Sequence, residues 1–208
     1  MSTQSSTVPA LGKPGAGLPF HEWFIAKYFI FPRRFATIDN AKAISNFAEE
    51  SKAVLQIVSH LSEREMLEKR LIKRLRGLED NSRFWSVAMA LEHMIIAGTS
   101  IRGVLLSLSN GRADLPGSTI ADLKPNPEVS TDGLLARFEQ MTQKFVRTAE
   151  TAKIDAFPET TYSHPWFGPL NARKWLVFAG AHQSIHRMQI EEITKILKQE
   201  SARQNVMP

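Results

Sequence analysis

The feature that most constrains this chain is the return of apolar residues at three- and four-residue steps along four separate stretches, with no alternating apolar/polar run anywhere. Each stretch reads as a helix with one apolar stripe, and such stripes are buried by packing against one another. The first runs from Asp39 to about His60 through Ala43, Ile44, Phe47, Ala48, Val54, Leu55 and Val58. The second continues from Phe84 through Leu108, capped by Asn81 or Ser82 and stopped at Asn110-Gly111. The third starts at Thr131 or Asp132 and sets Leu134, Leu135, Phe138, Met141, Phe145 and Val146 on one face, ending near Lys153. The last is capped by Asn171 and keeps its stripe from Trp175 to Ile196. A capping box at Ser62 and Glu65 opens a shorter helix that runs to about Gly77. Gly111 to Ser130, with three prolines and two glycines, reads as a long connection, and Asp155 to Leu170 as a second loop. The expected fold is all-α: a four-helix bundle with an additional short helix and long crossover loops.

With 208 residues, 43% of them hydrophobic and 23% charged, the chain fits a single bundle domain over 19–200. Residues 1–18, rich in Ser, Thr, Pro and Gly, read as a disordered tail, and 201–208 as a polar C-terminal one. The start lacks a basic segment followed by an apolar run, and no apolar run approaches the roughly 20 residues of a bilayer span. A soluble, cytoplasmic protein without a transmembrane segment is therefore expected. Pro19 to Pro32 is unusually aromatic and reads as one or two helical turns that cap the open end of the bundle.

The net charge of +5 is concentrated in Lys69 to Arg76. Such a run can attract nucleic acid or anionic lipid, but Leu67, Leu71, Ile72 and Leu75 keep helical spacing, which makes it a solvated helix face. No reading helix or aromatic platform accompanies it, so nucleic acid is not an expected partner.

No cysteine occurs, which excludes thiolate nucleophiles, disulfides, iron–sulfur ligation and cysteine zinc sites. Any metal site must draw on His, Asp or Glu. His182 and His186 stand four apart in the last helix, about 40° apart around its axis and about 6 Å along it, so both imidazoles can reach one ion. Their face continues through Trp175 and Phe178 on one side and Gln189 and Ile193 on the other, which turns the pair into the bundle. Two buried histidines need partners. A third donor has to come from another helix, and His93 lies mid-helix in the apolar run Val87 to Ile96. By itself an interior histidine is more often a hydrogen-bonded core residue than a ligand, and both readings of His93 stand at this point. Gln183 occupies the place where helical zinc proteases carry their glutamate, so this is not that motif. Glu92 points about 100° away from His93 and is a poor general base.

His164 lies in the run Ser163-His164-Pro165-Trp166-Phe167-Gly168-Pro169-Leu170 just before the last helix. Three roles are open to it: a fourth ligand, a proton-transfer group, or a loop anchor. A three-imidazole site leaves a coordination position free and is the catalytic kind, whereas a structural site wants four protein ligands.

Two blocks resemble the DinB-like metal-binding four-helix bundles, a group that includes bacillithiol S-transferases and mycothiol-dependent maleylpyruvate isomerase. Trp85-Ser86-Val87 followed by Leu91-Glu92-His93-Met94 is similar to the family's tryptophan-to-histidine helix, and His182-x-x-x-His186-Arg187-Met188-Gln189 to its His-x-x-x-His-x-x-Gln helix. The likeness spans roughly Asn40 to Gln199, and the run around His164 looks like a less-characterised subgroup. It implies a zinc or nickel site on His93, His182 and His186. The aromatic segment Phe20 to Phe31 and the loop Gly111 to Ser130 depart from the best-known members.

Two functions compete. One is a metal-dependent enzyme, transferring a low-molecular-weight thiol to an electrophile or hydrolysing a small molecule, with Gln189 orienting a ligand and His164 moving a proton. The other is a non-catalytic, metal-stabilised bundle that forms a homodimer or binds a partner through its aromatic segment. An open coordination position facing a cavity marks the first; a fourth protein ligand and no cavity mark the second.

Overall fold

Four long helices form the body of a computed structural model that describes residues 9–204 except Ser118. They are α3 (Asn40–Val58), α5 (Val87–Leu108), α6 (Leu134–Thr151) and α7 (Ala172–Gln204). Before them lie α1 (Phe20–Ile25) and α2 (Phe31–Thr37), joined without a break by a π-helical turn, Ala26–Ile30; α4 (Glu63–Leu67) follows α3. Around the square of the bundle α3 packs on α7, α7 on α5, α5 on α6 and α6 on α3. The diagonal steps are therefore taken by 59–86, between α3 and α5, and 152–171, between α6 and α7. The connection from Gly111 to Ser130 instead joins packed neighbours.

Local chemistry accounts for these boundaries. Asp39 Oδ1 accepts from the Lys42 N–H at 2.7 Å and caps α3, the Ser62–Glu65 capping box opens α4, and Asn171 Oδ1 accepts from the Lys174 N–H at 3.1 Å at the head of α7. At the α3–α6 contact the rings of Phe47 and Phe145 stack with centroids 3.8 Å apart. The α3–α7 contact is close because Gly180 has no side chain: a Cβ there would stand 3.3 Å from Asn46 Cβ. α5 is long and apolar enough to cross a bilayer on those two measures alone. In this fold it packs between α6 and α7, buried almost without interruption from Val87 to Met94.

Three expectations are corrected. The basic run is not helical: α4 ends at Leu67, and Arg70–Leu71 (β1) pairs antiparallel with Phe84–Trp85 (β2). Long-range partners override the local period here. Arg70 binds Glu68 and Glu200, Arg74 binds Glu22 at 2.6 Å, and Arg83 Nε donates to the Ile72 carbonyl at 3.0 Å. Because 80–85 is spent on a 3-10 turn and this ribbon, α5 starts later than expected, capped by Ser86. A second ribbon, Tyr162–His164 (β3) with Gly168–Leu170 (β4), was equally invisible, since strands of two or three residues are too short to show an alternation.

The aromatic segment forms the expected helical turns but buries little of itself: Phe20 is 75% and Phe29 62% exposed, whereas Phe31 is buried. Of the stretch read as an N-terminal tail, residues 1–8 lie outside the described residues, as do 205–208. The following segment is tied to the bundle, with the Gly12 N–H donating to Asp80 Oδ2 at 2.9 Å and Asn81 Nδ2 to the Gly12 carbonyl at 3.0 Å.

Candidate metal centre

Three imidazoles converge where α5 and α7 pack. One ring nitrogen each from His93, His182 and His186 falls within 4.8 Å of the others, and among the described residues no further His, Asp or Glu joins this group. α5 brings His93, and successive turns of α7 bring His182 and His186, whose ring centroids are 4.5 Å apart.

The hydrogen bonds determine which nitrogens face the centre. His93 Nδ1 lies 2.7 Å from the Leu123 carbonyl, which can only accept, so Nδ1 carries the proton and Nε2 is a bare lone pair. Gln189 Nε2 donates to the Ser82 carbonyl at 2.7 Å, which turns its Oε1 toward His186 Nδ1 at 2.7 Å. His186 is thereby also the Nδ1–H tautomer with a bare Nε2. His93 Nε2 and His182 Nε2 approach to 3.1 Å. A single proton on His182 can bridge one such pair but cannot serve both bare nitrogens.

Burial keeps the rings neutral, as a metal ligand must be. Desolvation pushes His93 down to about 4, with the positive charge of Lys124 acting in the same direction. His182 and His186 are lowered well below the usual imidazole range, chiefly by burial, and then His182 by His93 and His164 and His186 by His93 and His182. Lone pairs converging in a desolvated site, two of the three imidazoles oriented from behind by a carbonyl or an amide, are the donor set of a divalent cation. The residues therefore fit a metal ion.

Trp85 lies parallel to the His186 ring, 6.1 Å away, and 5.3 Å from that of His93. Lys124 Nζ stands 5.3 Å over the same indole and is neutralised by the buried Glu79 at 2.6 Å. Sequence reading missed Leu123, Ser82, Glu79 and Lys124. Leu123 and Ser82 act through backbone carbonyls, which no residue type announces; the others form an ion pair 45 residues apart. Glu92 accepts from the Asn126 N–H at 2.6 Å and anchors the loop that delivers Leu123.

His164 stands outside the metal group. Its Nδ1 accepts from the Trp166 N–H at 3.1 Å, leaving the proton on Nε2, and burial lowers its pKa to about 4. Its ring is 4.5 Å from that of Phe178, which in turn is 6.1 Å from His182. His21, exposed, and the three metal-group histidines line the same cavity as His164, while His60 lies elsewhere. That cavity, about 570 Å³, is mostly apolar and bounded by α1, α5, α7 and the β3–β4 ribbon. Gln189 is fully buried behind His186. Replacing it by leucine is expected to weaken divalent-metal binding by about 10- to 100-fold with the fold intact, measured by competition with a chromophoric chelator. An unchanged affinity would remove its orienting role.

No curated protein matches the chain. A family model described as DinB superfamily matches residues 46–190, a span that takes in His93, His182, His186 and Gln189. On that match, and with the all-α bundle and buried histidine group already seen, the chain belongs to the DinB superfamily.

Proposed function

We propose that this protein is a metal-dependent enzyme that holds one divalent ion, zinc or nickel, on His93, His182 and His186 and acts on a small molecule admitted to the adjoining cavity. The observation that carries the reading is the site's openness: three donors within 4.8 Å rather than four, on the wall of a cavity of about 570 Å³. Such an ion acts as a Lewis acid and lowers the pKa of a water or thiol that it binds, which suits thiol transfer to an electrophile or hydrolysis. Because the chain has no cysteine, a transferred sulfur comes from a low-molecular-weight thiol.

The protein's own groups have separable parts in this. Leu123 and Gln189 hold two of the imidazoles in the ligand tautomer. His164, neutral and with Nε2–H free, offers the cavity a hydrogen-bond donor that can steady a substrate oxygen. The aromatic walls keep bulk water from the reacting groups.

Cobalt(II) as a spectroscopic substitute tests the reading. Titrating the cobalt-loaded protein with L-cysteine should produce a saturable near-ultraviolet absorption change that L-serine does not. A spectrum unmoved by the thiol would mean a closed site and would overturn the enzyme reading. The second reading, a metal-stabilised bundle that dimerises, is favoured by the exposed Phe20, Phe24, Tyr28 and Phe29. It predicts that unmoved spectrum together with a mass near twice that of the chain in sedimentation.

A further inference from the structure

The ionisable lining of the cavity is unbalanced. Two carboxylates face it, Glu22 and Glu79, against four cations, Arg34, Arg74, Arg76 and Lys124. Both carboxylates are already engaged: Glu22 accepts from Arg74 at 2.6 Å and from the Gly77 N–H at 3.1 Å, and Glu79 from Lys124 at 2.6 Å. Arg34 and Arg76 are left over. Arg76 is exposed and water serves it. Arg34 is half-buried on α2, and its Nε has no hydrogen-bond partner among the described residues.

A half-buried guanidinium on a cavity wall without a counter-ion is costly, and the group that pairs with it best is a carboxylate or similar anion, held by paired N–H donors. The surroundings of Arg34 define the rest of such a ligand. One helical turn before it, Phe31 sets its ring 4.7 Å from Phe167 and 5.7 Å from Phe178. Phe178 leads on to His182, 6.1 Å away. A cation, an aromatic wall and the three histidines thus succeed one another along one cavity, whose volume lies within the range of small-molecule sites.

We propose that the cavity binds an amphipathic organic anion: a compact aromatic or acyl body along Phe31, Phe167 and Phe178, its carboxylate on Arg34, its other end toward the histidines. This names the substrate class of the metal site and rests on the reading of that cavity as the substrate chamber.

Calorimetric titration of the full chain with octanoate and with its neutral analogue 1-octanol tests it. Octanoate should bind at least about tenfold more tightly, as a charge-assisted pair with Arg34 requires. Arg34→Gln should abolish that preference while leaving the octanol affinity unchanged; Arg34→Lys, which keeps the charge, should retain part of it, and Arg76→Gln nearly all of it. Equal binding of the two probes, or a preference that survives Arg34→Gln, would overturn the proposal. Should Arg34→Gln not fold, Arg34→Lys carries the test, with an undiminished preference as the adverse result. Repeating the titration on His182→Ala separates this claim from the metal reading. The preference should persist there, and its disappearance would place the anion on the metal and overturn the assignment to Arg34.

Discussion

Replacing His186 by alanine is expected to take the bound divalent metal from about one ion per chain to nearly none, and His182→Ala to do the same. The reason is arithmetic as well as geometric. With three protein donors, losing one leaves only two, and no further His, Asp or Glu among the described residues lies within reach to replace it. A consequence for stability follows. An ion bound only by the folded chain and present at about a thousand times its Kd stabilises that chain by about 4 kcal/mol. Added zinc should therefore raise the unfolding temperature of the wild type and leave both variants unmoved. His164→Ala is the internal control, because its Nδ1 is taken by Trp166 and the ring stands outside the group; its metal content should equal that of the wild type. Elemental analysis of the purified proteins gives the result directly. Unchanged metal in both His182→Ala and His186→Ala would refute the site.

The second large effect is a loss of stability in mild acid, above the range where carboxylates titrate. In the folded, metal-free chain His93 and His164 are each pushed down to about 4 by burial, and His182 and His186 well below the ordinary value of 6.5. Unfolded, the same rings take up protons near 6.5. Between these limits the unfolded state binds more protons, so stability is fully present above about pH 6.5 and drains away as pH falls toward 4. His93 alone contributes about 3 kcal/mol over that interval at 1.36 kcal/mol per pH unit. Protons and metal compete for the same lone pairs, so metal is released across the same window. The carboxylates of Asp80 and Asp122, held below their ordinary 3.8 mainly by hydrogen bonds, titrate beneath it. Urea unfolding at pH 7.5 and pH 4.5, with bound metal measured in parallel, reads both effects. Equal stability at the two pH values would mean that the histidines are not buried as neutral rings.

The aromatic helix shows how far pattern alone carries. Its helicity was legible, because Phe, Trp and Tyr between two prolines leave room for a few turns, but its burial was not. Exposure depends on what packs against a face, and here Phe31 turns inward to Phe167 and Phe178 while Phe20 and Phe29 face outward. The basic run from Lys69 to Arg76 teaches the complementary lesson. Its leucines keep a helical period, yet pairing of Arg70 with Glu200 and of β1 with β2 draws the backbone into an extended ribbon. Weak local preference yields to partners more than a hundred residues away.

Sequence alone determined the four long helices and the geometry of His182 and His186, because helical period, capping and i, i+4 spacing are local properties of the chain. His93 was visible as a candidate, but its partnership with the pair depended on resemblance, since nothing in the order of residues places α5 against α7. Only the tertiary structure decided that the three lone pairs converge, that the Leu123 carbonyl and Gln189 orient two of them, that His164 stays outside the group, and that Arg34 has no partner among the described residues beside the cavity. Those facts rest on contacts between segments far apart in the chain, and two of the partners, Leu123 and Ser82, act through backbone atoms that every residue shares.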